Sequence, residues 1–194
     1  MKETVHTHKS ITLRLSATAL MAALVFWGSN MQVQIPAIVG FSRFHLGNIM
    51  CALSGLLLGP WWGGLAAGLG SMLFDCMNPA YIAEAPITFA TKGMYGLVAG
   101  LVFVYLFKRH SNYITEAVST GCAAMAYIAV YLGKNFFYNG MLLAGLTADA
   151  AWVAMLEKAP SALFNGSVAV IFAPILGVAI NKAMKAAHLE RILV

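Results

Sequence analysis

Long uninterrupted apolar runs are the feature that most constrains how this chain can fold. One run covers residues 96–107, and the runs 55–58 and 63–69 are separated by only a short turn. Membrane β-strands instead show weak alternation over about ten residues, so continuous runs favour helices. The chain is 60% hydrophobic and 10% charged, whereas soluble domains carry about 25% charged residues. Most of its surface must therefore face lipid, which predicts an all-α integral membrane protein.

The spacing of the runs predicts a compact bundle of six transmembrane helices, since each span needs roughly 20 residues. The predicted spans are 13–28, 46–58, 61–77, 87–107, 115–137 and 161–180. Residues 30–45 are predicted to form a loop, and residues 139–160 either an amphipathic surface helix or an elaborate loop. The chain then divides into an N-terminal tail at 1–12, a membrane domain at 13–182 and a C-terminal tail at 183–194.

The distribution of lysine and arginine predicts the orientation. Cytoplasmic loops of membrane proteins carry an excess of these residues. With six spans, one side holds most of them: Lys2, Lys9, Arg14, Lys108, Arg109, Lys182, Lys185 and Arg191. Both termini are therefore predicted to be cytoplasmic, in a multi-pass protein of the cell membrane. The same rule explains the net charge of +5 without a nucleic-acid partner.

Catalytic and metal-binding motifs are not found in the sequence. Cys51, Cys76 and Cys122 have no CxxC spacing and are predicted to be packing residues. No Ser–His–Asp set, HExxH motif or paired carboxylates stand out, so no enzyme activity, metal or cofactor is expected. A phosphate-binding loop is also missing, so any ATP that drives this protein must bind another subunit.

Polar residues near the predicted outer ends of the spans are the candidates for a binding site, because ionisable groups at membrane depth are costly and mark functional sites. They are His45, Asn48, Asp75, Asn78, Glu84, Lys92, Lys134, Asn135, Asn139 and Asn165. Lys92 lies near the start of an apolar span. It is expected to contact a ligand, to reach water at the interface, or to form an ion pair with Glu84 or Asp75.

Aromatic residues lie at similar predicted depth, where an interfacial belt explains most of them. Phe41, Tyr138 and Trp152 are the candidates for stacking on a flat ligand. Small residues in the first span suggest a second surface. Ala19 and Ala23 are four residues apart, so they share one helix face and allow another helix to approach closely. Internal packing would explain the same pair.

Five short motifs together resemble the S components, the substrate-binding subunits of energy-coupling factor (ECF) vitamin transporters. They are FHLGN at 44–48, GLLLGP at 55–60, GGLAAG at 63–68, FD at 74–75 and KG at 92–93. The resemblance implies six helices with both ends cytoplasmic, and a partner module made of a transmembrane coupling subunit and two ATPase subunits. It also implies that Ala19 and Ala23 dock on the coupling subunit.

The resemblance further implies that the chain captures a water-soluble vitamin from outside, in a pocket lined by spans four to six and covered by the loop after the first span. The LGN signature is most similar to the pyridoxine or hydroxymethylpyrimidine branch, with pantothenate or another vitamin as alternatives. The expected substrate-binding residues are Phe41, His45, Asn48, Glu84, Lys92, Asn135, Tyr138, Trp152 and Asn165. A polytopic membrane enzyme and a stand-alone channel or secondary transporter are the competing interpretations.

Overall fold

The computed structural model describes residues 2–187, with side chains from residue 11 onward. Met1 and residues 188–194 of the predicted C-terminal tail lie outside the described residues. The chain is mostly helical. The helices are α1 Lys2–Asn30, α2 Gly47–Leu58, α3 Pro60–Cys76, α4 Ala85–Leu101, α5 Tyr113–Lys134, α6 Ala148–Leu156 and α7 Ala159–Ala186. Because α1 begins at Lys2, most of the predicted N-terminal tail is helical and continuous with the first span.

Four helical segments are long and apolar enough to cross a membrane, judged by length and composition. They are Ile11–Asn30, Ile82–Leu106, Tyr113–Leu143 and Ala148–Ala186. The apolar helix α2 is shorter, and α3 has 17 residues. The segments agree with the predicted first, fourth, fifth and sixth spans, while the count of six remains a prediction.

The fold is mostly helical, as predicted, but residues 30–45 contain a β-hairpin after α1 where a loop was expected. Strand β1 (Gln32–Pro36) pairs antiparallel with strand β2 (Phe41–His45). The first strand alternates polar and apolar residues, which is the period of a β-strand. At the turn, Gly40 adopts a φ of +66°, a conformation that glycine tolerates best. The proline and polar residues that suggested a loop therefore belong to a two-stranded ribbon.

The region 139–160 also differs in part from its prediction. The helix α5 continues as a π-helix over Asn135–Leu143, which ends with a bond from the Ala144 amide to the Asn139 carbonyl at 3.1 Å. A short turn leads to α6, and α6 leads almost directly into α7. The extra residue in each π turn re-aims the side chains that follow. The region therefore contains the predicted surface helix, as α6 with Trp152, Val153 and Leu156 exposed, but it is preceded by a π-helical extension of α5 that was not expected.

Glycines hold α2, α3 and α4 close together. A Cβ atom added at Gly55 would lie 2.1 Å from the carbonyl oxygen of Gly96, and one added at Gly96 would lie 2.7 Å from that of Gly63. Also between α3 and α4, a Cβ atom at Gly64 would lie 2.9 Å from the carbonyl oxygen of Gly93. Lipid supplies no hydrophobic drive between helices, so close backbone packing is what stabilises such contacts. We call these contacts the glycine seam.

Candidate functional site

A cavity of about 250 Å³ lies beneath the hairpin. It is bounded by the hairpin turn, the segment before α4, the π-helical end of α5 and the start of α7. The lining residues are Val39, Gly40, Phe41, Arg43, Ala80, Tyr81, Glu84, Tyr131, Asn135, Asn139, Leu143, Ala144 and Lys158. The cavity therefore combines residues from distant parts of the chain.

The tip of the hairpin is held by two adjacent residues at the start of α7. The Lys158 ammonium donates hydrogen bonds to the backbone carbonyls of Val39 and Phe41, each at 2.7 Å. The neighbouring Glu157 carboxylate accepts a hydrogen bond from the Ile38 amide at 2.8 Å. Together these contacts fix the hairpin turn over the cavity.

The second strand of the hairpin is held further along α7. Ser161 lies one helical turn beyond Glu157, and its hydroxyl bonds that of Ser42 at 2.9 Å. One turn later, the Asn165 side chain accepts from the His45 amide at 2.9 Å and donates to the Arg43 carbonyl at 2.8 Å. Residues four apart share a helix face, so one face of α7 binds β2, through a side chain at Ser42 and through the backbone at Arg43 and His45.

On the opposite side, Arg43 ties the hairpin to α3. Its guanidinium lies 3.3 Å from the Asp75 carboxylate and 3.9 Å from the centre of the Tyr81 ring. Burial lowers the pKa of Arg43, but Asp75 and the nearby tyrosines raise it by more, so the net shift is upward. Arg43 is therefore charged and neutralised by Asp75.

A polar network covers the α5 side of the cavity. Lys134 forms an ion pair with Glu84. The Asn139 amide nitrogen donates to Glu84 and to the Asn135 side-chain oxygen, each at 3.1 Å. Asn135 in turn donates to the Tyr131 carbonyl at 2.8 Å. The π-helical geometry begins at Asn135 and leaves both asparagines buried against the cavity.

Two polar atoms of the lining have no hydrogen-bond partner among the described residues. They are the side-chain oxygen of Asn139 and the hydroxyl of Tyr81. Both residues are only 5% exposed, and a buried polar atom without a partner costs about 1–3 kcal/mol. A ligand in the cavity would be able to satisfy them.

Lys92 lies in a layer below the cavity rather than in its lining. Its ammonium donates to the Asn48 side-chain oxygen and lies 4.4 Å from the centre of the Tyr127 ring. Lys92 does not form the expected ion pair with Glu84 or Asp75, because Glu84 pairs with Lys134 and Asp75 pairs with Arg43. Lys92 is also buried, at 7% exposure, so it does not reach water at an interface.

His45 belongs to the same buried layer. Its Nδ1 atom accepts a hydrogen bond from the Gly47 amide at 3.0 Å. Burial, followed by the positive charges of Lys92 and Arg43, holds the pKa of His45 well below its usual value. The imidazole is therefore neutral and acts as the link between β2 and the start of α2.

The predicted site residues thus separate into groups. Phe41, Glu84 and Asn135 line the cavity. A second group supports it from below or from α7: His45, Asn48, Lys92 and Asn165. Tyr138 donates to the Ala83 carbonyl at 3.0 Å, outside the lining, and Trp152 is 54% exposed. Neither of these two aromatic rings lines the cavity, so their stacking on a ligand stays a prediction.

Several lining residues were not expected from the sequence, above all Arg43, Tyr131 and Lys158. A signal for two of them was present. Arg43 and Lys158 are cations on the side of the protein that the orientation rule predicts to be poor in lysine and arginine. Cations on that side of the protein need another explanation, and their position in the cavity lining supplies it.

The Ala19–Ala23 pair is exposed on α1, while Met21, Ala22 and Val25 face the bundle. The alternative of internal packing is therefore wrong for this pair. Of the three cysteines, Cys51 is buried whereas Cys76 and Cys122 are exposed, so the expected packing role applies to Cys51.

Comparison with known proteins identifies the fold and the family. Two solved S components have the same architecture. One, an S component of a bacterial ECF transporter, is 17% identical with a TM-score of 0.63, covering 89% of this chain and 97% of that one. The other, an S component for biotin from an ECF-type ABC transporter, is 15% identical with a TM-score of 0.64, covering 87% and 90%.

Sequence relatives agree with the structural ones. A Pyrococcus woesei protein, described as an uncharacterized protein in gap 3'region, is 30% identical over 109 residues, which are 56% of this chain and 68% of that protein. The family model of the ECF-type riboflavin transporter S component matches residues 9–182. S components are transport proteins, so the membrane-enzyme interpretation is wrong. With nearly the whole chain matched, this protein belongs to the family of ECF-type riboflavin transporter S components.

Proposed function

We propose that this chain captures a small water-soluble vitamin in the cavity beneath the hairpin and delivers it through an ATP-driven ECF module. The observation that carries the proposal is the cavity itself, with two buried polar atoms that lack partners. Ligand pockets combine mainly apolar walls with a few placed polar groups. The tyrosines and Phe41 supply walls for a flat ring, and Asn139 and Tyr81 supply hydrogen-bonding atoms.

The cavity volume favours a ligand with one ring. At about 250 Å³, it lies below the roughly 300–1,000 Å³ of typical ligand pockets. A pyridoxine or hydroxymethylpyrimidine type of molecule suits this volume better than the three-ring system of riboflavin, after which the family is named. Pantothenate remains the alternative of similar size.

The hairpin is proposed to act as the lid. It covers the cavity and is attached mainly by hydrogen bonds from side chains of α7 to its backbone. Such bonds can be exchanged for bonds to water at small net cost. Opening of the turn would admit the ligand without rearrangement of the glycine seam.

The proposed topology has six spans, with α2 and α3 crossing as a short pair and both termini in the cytoplasm of the cell. The exposed Ala19–Ala23 face of α1 is proposed to dock on the transmembrane coupling subunit, and the protein would then tilt to release its ligand. Two ATPase subunits complete the module. Replacement of both alanines by leucine should abolish uptake and leave ligand binding by the isolated subunit unchanged.

Mass spectrometry of the small molecule that copurifies with the protein tests the ligand, and copurifying protein tests the partners. A single-ring vitamin together with ATPase subunits is the expected result. A stand-alone secondary transporter would transport in liposomes without ATPase subunits, and that outcome would overturn the proposed coupling.

A further inference from the structure

The cations around the cavity are not all paired with a carboxylate by direct contact. Arg43 is paired with Asp75, and Lys134 is paired with Glu84. Lys158 has no carboxylate within 4 Å among the described residues, although it is only 4% exposed. The direct hydrogen bonds of this ammonium are therefore to two neutral backbone carbonyls, while Glu84 and Glu157 act on it from a greater distance.

The ammonium of Lys158 also has a free donor. A lysine ammonium carries three N–H donors, and two of them bond to Val39 and Phe41. The third has no acceptor that the described part of the protein supplies. Since Lys158 lines the cavity, an acceptor in the cavity is the natural partner for it.

The nearby carboxylates do not contact the Lys158 ammonium directly. Glu157 is adjacent in sequence, but its side chain is exposed and bonds the Ile38 amide on the hairpin. Glu84 lies in the same wall, but it is neutralised by Lys134 and accepts from Asn139. The first turn of α7 begins directly after Lys158, and the positive end of the helix dipole adds to the local preference for an anion.

Asn139, elsewhere in the lining, requires a different chemical group of the ligand. Both amide hydrogens of Asn139 are used, by Glu84 and Asn135, so its free oxygen can only accept. The ligand must therefore present an N–H or O–H donor to Asn139. A molecule that spans the cavity would carry this donor at one end and an acceptor at the other.

We propose that the ligand of this protein is an acid, with a carboxylate or phenolate oxygen bound by Lys158 and a hydrogen-bond donor bound by Asn139. This inference rests on the proposed function and narrows its substrate class. Ligand binding would then favour the closed hairpin, because the Lys158 ammonium binds both the ligand and the hairpin turn. Burial of two opposite charges that also form hydrogen bonds costs less free energy than burial of one unpaired charge.

Calorimetry with matched pairs of acids and neutral analogues tests the proposal. The pairs are nicotinate and nicotinamide, pantothenate and panthenol, biotin and biotinamide, and, for a phenolate, pyridoxine and its analogue without the ring hydroxyl, with riboflavin as a large neutral probe. The wild-type protein should bind at least one acid about tenfold to a hundredfold more tightly than its neutral partner, the range expected for one charged hydrogen bond.

The variant Lys158→Met removes both the positive charge and the hydrogen bonds to the hairpin, but the two losses affect the ligands differently. Loss of the bonds to the hairpin would weaken the acid and the neutral analogue alike. Loss of the charge pairing weakens only the acid, so the difference between the two ligands should vanish in the variant, as in a double-mutant cycle. A matched control is Glu157→Gln, which alters the neighbouring hairpin contact and should leave the difference intact.

Three results would overturn the proposal: a neutral molecule bound as tightly as its acid, an acid preference that survives in Lys158→Met, or no binding of any acid in the panel. The proposed function is tested by a different outcome. Tight binding of riboflavin or another neutral vitamin would support vitamin capture and reject the acidic ligand.

Discussion

The cavity region and the glycine seam are stabilised by opposite means. Around the cavity, the hairpin is held by side-chain hydrogen bonds and by the Arg43–Asp75 ion pair, and a second ion pair joins Lys134 to Glu84. In the seam, α2, α3 and α4 meet through backbone atoms with no space for a side chain. Hydrogen bonds can be exchanged with water or a ligand, whereas close packing has one arrangement. The difference fits the proposed lid, because the hairpin contacts can be exchanged while the closely packed frame stays in place.

The largest effect is expected in the frame. Gly55→Ala would place a Cβ atom 2.1 Å from a backbone oxygen of Gly96, and neither backbone can move alone. Overpacking of this kind should destabilise the protein by about 3 kcal/mol or more, measured as a fall in melting temperature in detergent. Gly121→Ala is the control, since nothing lies within 4 Å of it, and it should stabilise α5 slightly. Equal effects of the two changes would break the comparison.

A smaller loss of stability is expected from an ion pair beside the cavity. Lys134→Met leaves the Glu84 carboxylate without its cation. Stranding a fully buried charge costs about 3–5 kcal/mol, and partial exposure of Glu84, at 19% of its side chain, should reduce this to about 2 kcal/mol. Thermal unfolding gives the measurement. The double variant Lys134→Met/Glu84→Gln should recover most of the loss, and failure to recover would mean that the pair is not the cause.

The next prediction concerns ligand affinity rather than stability. Asn139→Leu removes the free acceptor of the cavity and should weaken ligand binding by about 1–3 kcal/mol, roughly tenfold to a hundredfold. Calorimetry with the copurifying ligand would show this. Tyr138→Phe removes a hydrogen bond outside the lining and should leave affinity unchanged. If instead Tyr138→Phe caused the larger loss, the cavity would not be the binding site.

The smallest expected effect is a pH dependence that arises at His45. Its folded pKa is lowered, so the folded protein binds a proton less readily than the unfolded chain. The stability from His45 is therefore complete above the unfolded pKa of about 6.5 and falls by up to about 1.4 kcal/mol per pH unit below it. Melting temperatures at pH 7.5 and 5.5 should reveal the slope. His45→Asn should flatten it, and an unchanged slope would assign it to other groups.

The motifs of the family resemblance lie mostly in the frame, which explains what they were able to predict. The runs at 55–60 and 63–68 contribute to the glycine seam, and His45, Asn48 and Lys92 form the layer below the cavity. These positions are restricted by packing, so they identify the family. They do not line the cavity, so under the proposed function they carry little information about the vitamin, and their predicted contact with a ligand stays a prediction.

The cavity residues could be predicted only in part. Phe41, Glu84 and Asn135 were expected because polar and aromatic residues stood near predicted span ends. Lys158 was not, because its role depends on the almost direct passage from α6 into α7, which residues 139–160 do not reveal by periodicity. The hairpin was missed for a related reason: five-residue strands with a proline resemble a polar loop.

The sequence by itself determined that this protein is a helical membrane protein of the S component family, because continuous apolar runs leave few other folds and small residues at fixed spacing define the frame. Only the tertiary structure decided which charges meet. Lys92 is bound by Asn48, Lys134 by Glu84 and Arg43 by Asp75. Partners 32 to 50 residues apart in the chain are chosen by the packing of helices, and no local pattern encodes that choice.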